Sequence, residues 1–245
     1  MSPGTLITIE GLDGAGKSTL AAALQQHLAQ RGVAVELLRE PGGVQLSERI
    51  RQLVKDPALP VHPRAEALLY AAARAQLVEQ SLRPLLAQGR VVLLDRFVDS
   101  SLAYQGAGRS LGIEQIRQLN MFATGGLTAQ RTLLLRVSTQ QGLRRRQSRP
   151  GTADRLEQEQ QSFFAAIAAA YEQLALAEPQ RIRVLDASLP AEDVLAQALS
   201  ALDDLHLARP APPPRSRPAP GPGPEPGPQP GRGPGPGPAA DPGPV

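Results

Sequence analysis

Residues 11 to 19 read GLDGAGKST and fit the spacing G-x-x-x-x-G-K-[ST], with Gly11, Gly16, Lys17 and Ser18 on pattern. Glycines at such spacing let the backbone N–H groups of Gly11, Leu12, Asp13, Gly14, Ala15 and Gly16 curl around phosphate oxygens. A helix opening at Lys17, Ser18 and Thr19 would add the partial positive charge of its N-terminus. Lys17 is long enough to reach the outer phosphates of a nucleoside triphosphate, and the Ser18 hydroxyl can ligand a magnesium ion. The chain holds two lysines, Lys17 and Lys55, beside 24 arginines. A lysine in this slot of an arginine-dominated sequence indicates that a compact point charge is needed there. Asp95 closes the apolar run RVVLLD, where an acidic partner of the ion or its waters would stand. The competing reading of Asp95 alone is a turn residue.

Three arginines could serve an acceptor rather than a donor. Arg39 and Arg96 each follow an apolar run, and Arg74 lies in a helical stretch. Guanidinium forks grip phosphate oxygens in bidentate fashion, although each arginine taken alone could be a solvated surface residue. Tyr70 and Arg74 are four apart on one helix face, an arrangement that suits a base to stack on and a base edge or phosphate to grip. Core packing is the rival reading of Tyr70.

Positioning these residues takes strands that alternate with helices. TLITIE (5–10), VAVELL (33–38), RVVLLD (90–95), RTLLLRV (131–137) and RIRVLDA (181–187) read as strands. The run over 90–95 is apolar throughout, as in a parallel sheet covered on both faces. Helices are expected from 18 up to a stop at Gly32, over 44–54 and over 62–80, where Pro84 should kink or restart the chain, then near 112–124, 154–177 and 190–206. The alternation argues for a doubly wound α/β sheet, whose ligands bind beyond the carboxyl ends of the strands.

Composition bounds the rest. From Arg209 to Val245, sixteen of 37 residues are proline and eight are glycine. Such a tail cannot bury enough apolar surface to order itself, so 209–245 is expected to be extended and disordered, and 1–208 to form one domain. The net charge is +3, of which the tail supplies two. So small an excess on the body gives no reason to expect a nucleic-acid partner. There is no cysteine, and the three histidines lack ligand spacing. No apolar run is long enough to suggest a membrane span, and MSPGTLITIE shows no signal peptide, so a cytoplasmic protein is expected.

Nucleotide binding alone leaves several activities open. A guanine-specific switch would carry an Asn-Lys-x-Asp reader, and neither lysine follows an asparagine. A deoxynucleoside kinase needs a general base and has less use for Arg39 together with Arg96. A nucleotide-binding adaptor could act through APPPRSRP, which has the spacing that proline-binding grooves accept. A kinase for a small phosphorylated acceptor accounts best for the arginines.

Several segments in order resemble the thymidylate (dTMP) kinase family: ITIEGLDGAGKST, LREPGG, LLYAAARAQ, DRFVDSSLAYQGAGR, ADRLEQEQQSFF and LDAS. The resemblance implies a P-loop kinase with a five-stranded parallel sheet, helices on both faces and a mobile lid, often dimeric. It implies ATP as donor, Mg²⁺ and dTMP as acceptor. Arg39 and Arg96 would hold the acceptor phosphate, Tyr70 would stack on thymine, and Arg74 would reach its edge. Asp13 would meet the 3′-hydroxyl or a water on the ion. Ser101 and Gln105 would lie near the base, and Tyr104 would crowd the 2′ position. Phe97, Gln130, Arg131 and Arg136 depart from the family's usual Tyr, Pro-Asp and Asp.

The family sometimes places an arginine inside the P-loop. Here Leu12, Asp13, Gly14 and Ala15 hold the variable positions, and none is basic. Compensating charge is therefore expected from LRRRQSRPGTADR (143–155), where five of thirteen residues are arginine. Proline and glycine in SRPGTA suit a lid that closes over ATP and excludes water. Arg149 is the expected catalytic lid residue, and Arg155 a phosphate-binding or lid-anchoring partner.

Overall fold

The computed structural model describes residues 4–147, 154–205 and 207. The chain divides into two units, Met1–Pro210 and Ala211–Val245, and every described residue belongs to the first. The expectations for 209–245, for Arg149 and for the centre of the lid lie outside the described residues.

Five strands form one sheet: β1 (Thr5–Gly11), β2 (Val35–Arg39), β3 (Val91–Asp95), β4 (Arg131–Arg136) and β5 (Ile182–Asp186). Their order is β2-β3-β1-β4-β5 and every pairing is parallel. The registers Ile9↔Asp95 and Arg39↔Asp95 bring the carboxyl ends of β1, β2 and β3 level. Alternation along β1 sorts the two faces. Ile7 and Ile9 pack with Leu93, Leu133, Leu24 and Ala198 on one face. Leu6 packs with Leu77 and Leu94 on the other, where Leu134 and Ile167 also lie.

Helices cover both faces, as expected of a doubly wound sheet. In chain order they are α1 (Lys17–Gln30), α2 (Gln45–Lys55), α3 (Pro63–Leu77), α4 (Arg83–Ala87), α5 (Val98–Ser101), α6 (Ile113–Thr124), α7 (Thr139–Gln147), α8 (Gln161–Ala177) and α9 (Ala191–Ser200). Val78–Leu82 and Leu102–Gly108 are wound as π-helix. The first π segment joins α3 to α4, whose opening turn holds Pro84, so the chain restarts there without leaving the helix axis.

Three boundaries differ from the sequence reading. Residues 154–160 do not continue α8 backwards, because the Asp154 side chain accepts the N–H groups of Leu156 and Glu157 and holds a turn instead. The last helix stops at Ser200 rather than 206. Residues 98–108, left without an element by the sequence pattern, are helical. Glycine at 108 is required by packing, since a Cβ there would fall 2.6 Å from the Phe163 ring. Two of the departures from the family pattern have local roles: Gln130 Oε1 accepts the Leu6 N–H at 2.7 Å, and buried Arg131 pairs with Asp204.

The second sheet face also carries a buried polar stripe. Thr8 and Thr132 are register partners whose hydroxyls meet at 2.7 Å. Thr132 donates to Asp99, and Asp99 is held by both Nη atoms of Arg181 at 2.7 and 2.8 Å. This network ties α5 to β1, β4 and the start of β5. Removing one member of a buried pair leaves the other charge without compensation. Arg181→Met should therefore lower unfolding free energy by about 3 kcal/mol, measured by urea titration.

Candidate active site

The strand ends supply the site. Between β1 and α1 the chain turns through Gly14 and Gly16, whose φ values of 83° and 100° lie in the left-handed region open to glycine. Gly16 is the N-cap of α1 and offers no side chain, so the first N–H groups of the helix stay available to an anion. Lys17 folds back over the turn, and its Nζ donates to the carbonyls of Gly11 at 3.1 Å and Leu12 at 2.9 Å. Burial, with the Arg96 cation nearby, pulls its pKa down to about 8. Ser18 Oγ donates to Asp95 Oδ2 at 3.1 Å, while Asp95 Oδ1 is buried without a hydrogen-bond partner among the described residues. A hydroxyl beside a half-satisfied carboxylate is an oxygen donor set suited to a hard cation that keeps most of its waters.

Arg96 follows β3 in a left-handed backbone conformation, φ 72°, rare outside glycine and frequent at functional positions. That turn sends its guanidinium to Asp13 Oδ1 at 2.7 Å and over the Tyr104 ring, 4.9 Å from the centroid. Tyr104 donates its hydroxyl to the other Asp13 oxygen at 3.0 Å. Burial alone would raise the Asp13 carboxyl, but Arg96 and Lys17 outweigh it and hold the group well below the usual carboxylate range.

Arg74 is buried and almost fully committed. Its Nε donates to Glu40 at 2.7 Å, Nη1 to Ser101 Oγ at 2.9 Å and to Asn120, and Nη2 to the Phe97 carbonyl at 2.9 Å. Four of five N–H groups are used, which leaves one for a ligand. Arg39 differs: its side chain is 53 % exposed and meets Glu48 at 2.8 Å.

A cleft of about 230 Å³ gathers most of the expected residues: Asp13, Gly14, Gly16, Lys17, Ser18, Arg39, Tyr70, Arg74, Asp95, Arg96, Ser101, Tyr104 and Gln105 all line it. A second cavity, about 270 Å³, lies on the α1 and α9 side, where Ala15, Thr19 and Arg145 contribute. Gly14 and Gly16 line both cavities. The two spaces therefore meet at the phosphate turn, with Lys17 on the cleft side.

Arg155 is not with the P-loop. It donates to the Val54 carbonyl and to buried Glu66 on α3, at 3.1 and 2.6 Å, contacts that agree with the lid-anchoring half of its expected role. The first residues of the lid segment, 143–147, belong to α7, where Arg145 donates to the Ala187 carbonyl at 2.8 Å. Sequence reasoning missed Glu40, Arg51, Asp154 and Glu157, all of which line the cleft. Glu40 sat inside the noted REPGG loop. Burial pushes its carboxyl up to about 7 against the pull of Arg74, and its Oε1 has no hydrogen-bond partner among the described residues. Asp154 and Glu157 sat inside the noted segment ADRLEQEQQSFF, and Arg51 carried no signal beyond charge.

Comparison with known proteins gives one answer. A family model described as thymidylate kinase matches residues 9–198. Among curated relatives, thymidylate kinase of Deinococcus radiodurans is 48 % identical over 204 residues, covering 83 % of this chain and 98 % of that protein. Thymidylate kinase of Latilactobacillus sakei is 47 % identical over 208 residues, covering 83 % and 97 %. The crystal structure of thymidylate kinase from Ehrlichia chaffeensis superposes with a TM-score of 0.68 at 27 % identity, covering 82 % of this chain and 99 % of that one.

The depressed Lys17 pKa has a measurable consequence. Phosphates bound at Lys17 favour its ammonium form and raise the pKa above the free value of about 8. Below that value both states are protonated, and this group makes affinity independent of pH. Above it the free protein must regain a proton to bind. Affinity for a nucleoside triphosphate should fall by up to about tenfold per pH unit above 8, with uptake approaching one proton at about pH 9. Calorimetry in buffers of different ionisation enthalpy measures the uptake.

Proposed function

The chain belongs to the thymidylate kinase family, and on that premise we propose how its residues divide the work of the reaction. The enzyme transfers the γ-phosphoryl group of ATP to dTMP, giving ADP and dTDP. The observation that carries the residue assignment is the pair of cavities sharing Gly14 and Gly16. Two nucleotides placed there would meet phosphate to phosphate at the turn. ATP takes the cavity beside α1 and α9, with its phosphates on the N–H groups of residues 11–19. dTMP takes the cleft.

In this reading Arg39 and Arg96 hold the acceptor phosphate. Arg39 can exchange its exposed partner Glu48 for a phosphate oxygen at little loss, since such surface pairs contribute about 0–1 kcal/mol. Arg74 gives its single remaining N–H to the base edge, Tyr70 stacks on the ring, and Ser101 and Gln105 complete the base pocket. Asp13, fixed as a carboxylate by Arg96, accepts from the sugar 3′-hydroxyl, and Tyr104 crowds the 2′ position. The nucleophile is an acceptor phosphate oxygen, ionised near neutral pH, so no general base is required. That oxygen bonds to the γ-phosphorus as the bond to the β-bridging oxygen breaks. Lys17 and Arg96 stabilise the charge between them by preorganised electrostatics. Ser18 and Asp95 would hold Mg²⁺, which when bound neutralises charge on the outer phosphates.

The remaining positive charge is assigned to the lid over 143–155, with Arg149 as its catalytic member and Arg155 as its anchor. The kinase domain is assigned to residues 1–208, and 209–245 to no step of the reaction. We place the enzyme in the cytoplasm; no described helix is long and apolar enough to cross a membrane. A homodimer is supported by α2, α3 and α6, on which Leu46, Leu53, Leu68, Met121 and Phe122 stand exposed, Phe122 to 89 %.

Two measurements test the assignment. In a coupled ADP-release assay with ATP, dTMP should be the best acceptor among dTMP, dUMP, UMP, AMP, CMP and thymidine. Thymidine as the best acceptor would overturn the reading of a phosphorylated acceptor. Arg149→Ala should lower kcat by more than about tenfold, because a lid arginine aligned in the transition state supplies on the order of 10³–10⁵ in rate. A smaller loss would move the catalytic charge to another residue.

A further inference from the structure

Glu66 sits in the first turn of α3, where the helix dipole favours a carboxylate, and it is fully buried. It does not line the cleft, yet it touches residues that matter to it. Arg109 reaches its Oε2 at 3.1 and 3.2 Å through Nη2 and Nε, and Arg155 reaches the same oxygen at 2.6 Å. Every partner that meets Glu66 is an N–H donor, so both of its oxygens act as acceptors. Its third partner is the Gln105 amide, whose Nε2 donates to Oε1 at 2.8 Å.

That contact decides which way the Gln105 amide faces. A free glutamine amide presents either its nitrogen or its oxygen, since the two ends are nearly equal in size. Beside an accepting oxygen the choice is forced. Turning the amide over would set two oxygens against each other in a buried place and leave Nε2 without its partner. Gln105 is 2 % exposed and lines the cleft. Its Oε1 accepts no hydrogen bond from the described residues, so an acceptor is what this side chain has left to offer.

Resting on the reading of Gln105 as base-facing, we propose that Glu66 is a positioning residue for acceptor specificity. It locks the Gln105 amide with its oxygen toward the base and thereby selects a pyrimidine with a ring N–H over one with a bare ring nitrogen. Thymine and uracil carry N3–H and satisfy that oxygen. Cytosine brings a lone pair at N3, and two acceptors are left facing each other in a buried place, the situation that gives hydrogen-bonding sites their strongest discrimination. The 5-methyl group plays no part in this lock. Arg109 also donates to Glu159 at 2.5 Å, so the carboxylate that orients the base reader is joined to the segment following the lid through both arginines.

The test compares kcat/KM for dTMP, dUMP and dCMP in the full chain, its Glu66→Gln and Gln105→Leu variants and the double variant. Glu66→Gln keeps the shape but lets both amides rotate. It should lower dTMP and dUMP alike by about tenfold, through KM more than kcat, keep their ratio within about twofold, and change dCMP by less than about twofold. Because Glu66 acts through Gln105, adding Glu66→Gln to Gln105→Leu should cost less than about twofold further. Should Glu66→Gln fail to fold, Glu66→Asp carries the test: it keeps the charge, withdraws from Gln105 and should show the same pattern more weakly. An equal fall for all three acceptors, no change of the dTMP-to-dCMP ratio, or full losses that multiply in the double variant would overturn the proposal. If Gln105→Leu itself leaves the dTMP-to-dCMP ratio unchanged, the base-facing reading of Gln105 fails instead, and the inference fails with it.

Discussion

A site for two anionic nucleotides must store positive charge before either anion arrives. Each cation of the cleft is held by a stand-in, and the stand-ins differ in strength. Lys17 rests on two backbone carbonyls, Arg96 on Asp13, Arg74 on Glu40 and Arg39 on Glu48. The Arg74–Glu40 pair is buried, with side chains 2 % and 3 % exposed, so separating its members would strand a charge in a dry interior. The Arg39–Glu48 pair is open to solvent and separates easily. This gradient separates a guanidinium fixed by its buried partner, Arg74, from one free to exchange an exposed partner, Arg39.

The sheet makes that storage accurate. Arg39, Asp95 and Ile9 are aligned by register at the ends of three neighbouring strands. Immediately after β3 the backbone adopts the strained conformation at Arg96, a local penalty of roughly 1–3 kcal/mol that surrounding bonds must over-determine. They do so from buried Glu10, one strand away. Its Oε1 accepts the Phe97 N–H at 2.7 Å, and its Oε2 accepts the hydroxyls of Ser100 at 2.5 Å and Tyr171 at 2.9 Å. Burial, with Asp99 nearby, raises the Glu10 pKa, so this anchor lies in a demanding environment of its own. The direction of the Arg96 side chain thus depends on a carboxylate that never reaches the cleft.

Much of this was legible in the sequence, and the failures have physical causes. Strands announced themselves because a doubly covered parallel sheet needs unbroken apolar runs such as VVLL (91–94). The phosphate turn was legible because its chemistry demands glycines at fixed spacing. Residues 98–108 were not, since Gly106 and Gly108 read as breakers, whereas the π-wound part over 102–108 uses Gly108 to fit against Phe163, a contact remote in sequence. Arg155 was read by proximity to the lid, whereas its partner Glu66 lies 89 positions earlier, a pairing no local pattern contains. Arg74 looked like a free guanidinium because its partners Glu40, Phe97 and Ser101, and Asn120 come from three separate segments.

The strand order bears on how the molecule is made. β1, which leads into the phosphate turn, is central in the sheet, and its two neighbours are β3 and β4. A ribosome releases β1 long before either neighbour exists, and its second edge stays open until Arg131–Arg136 emerges. The strand that leads into the turn therefore keeps at least one apolar edge unpaired while more than half of the chain is made, exposed to wrong partners. Both edges of β1 can be paired only once Arg136 has been made, and β4 must then wait for β5 to cover its own second edge.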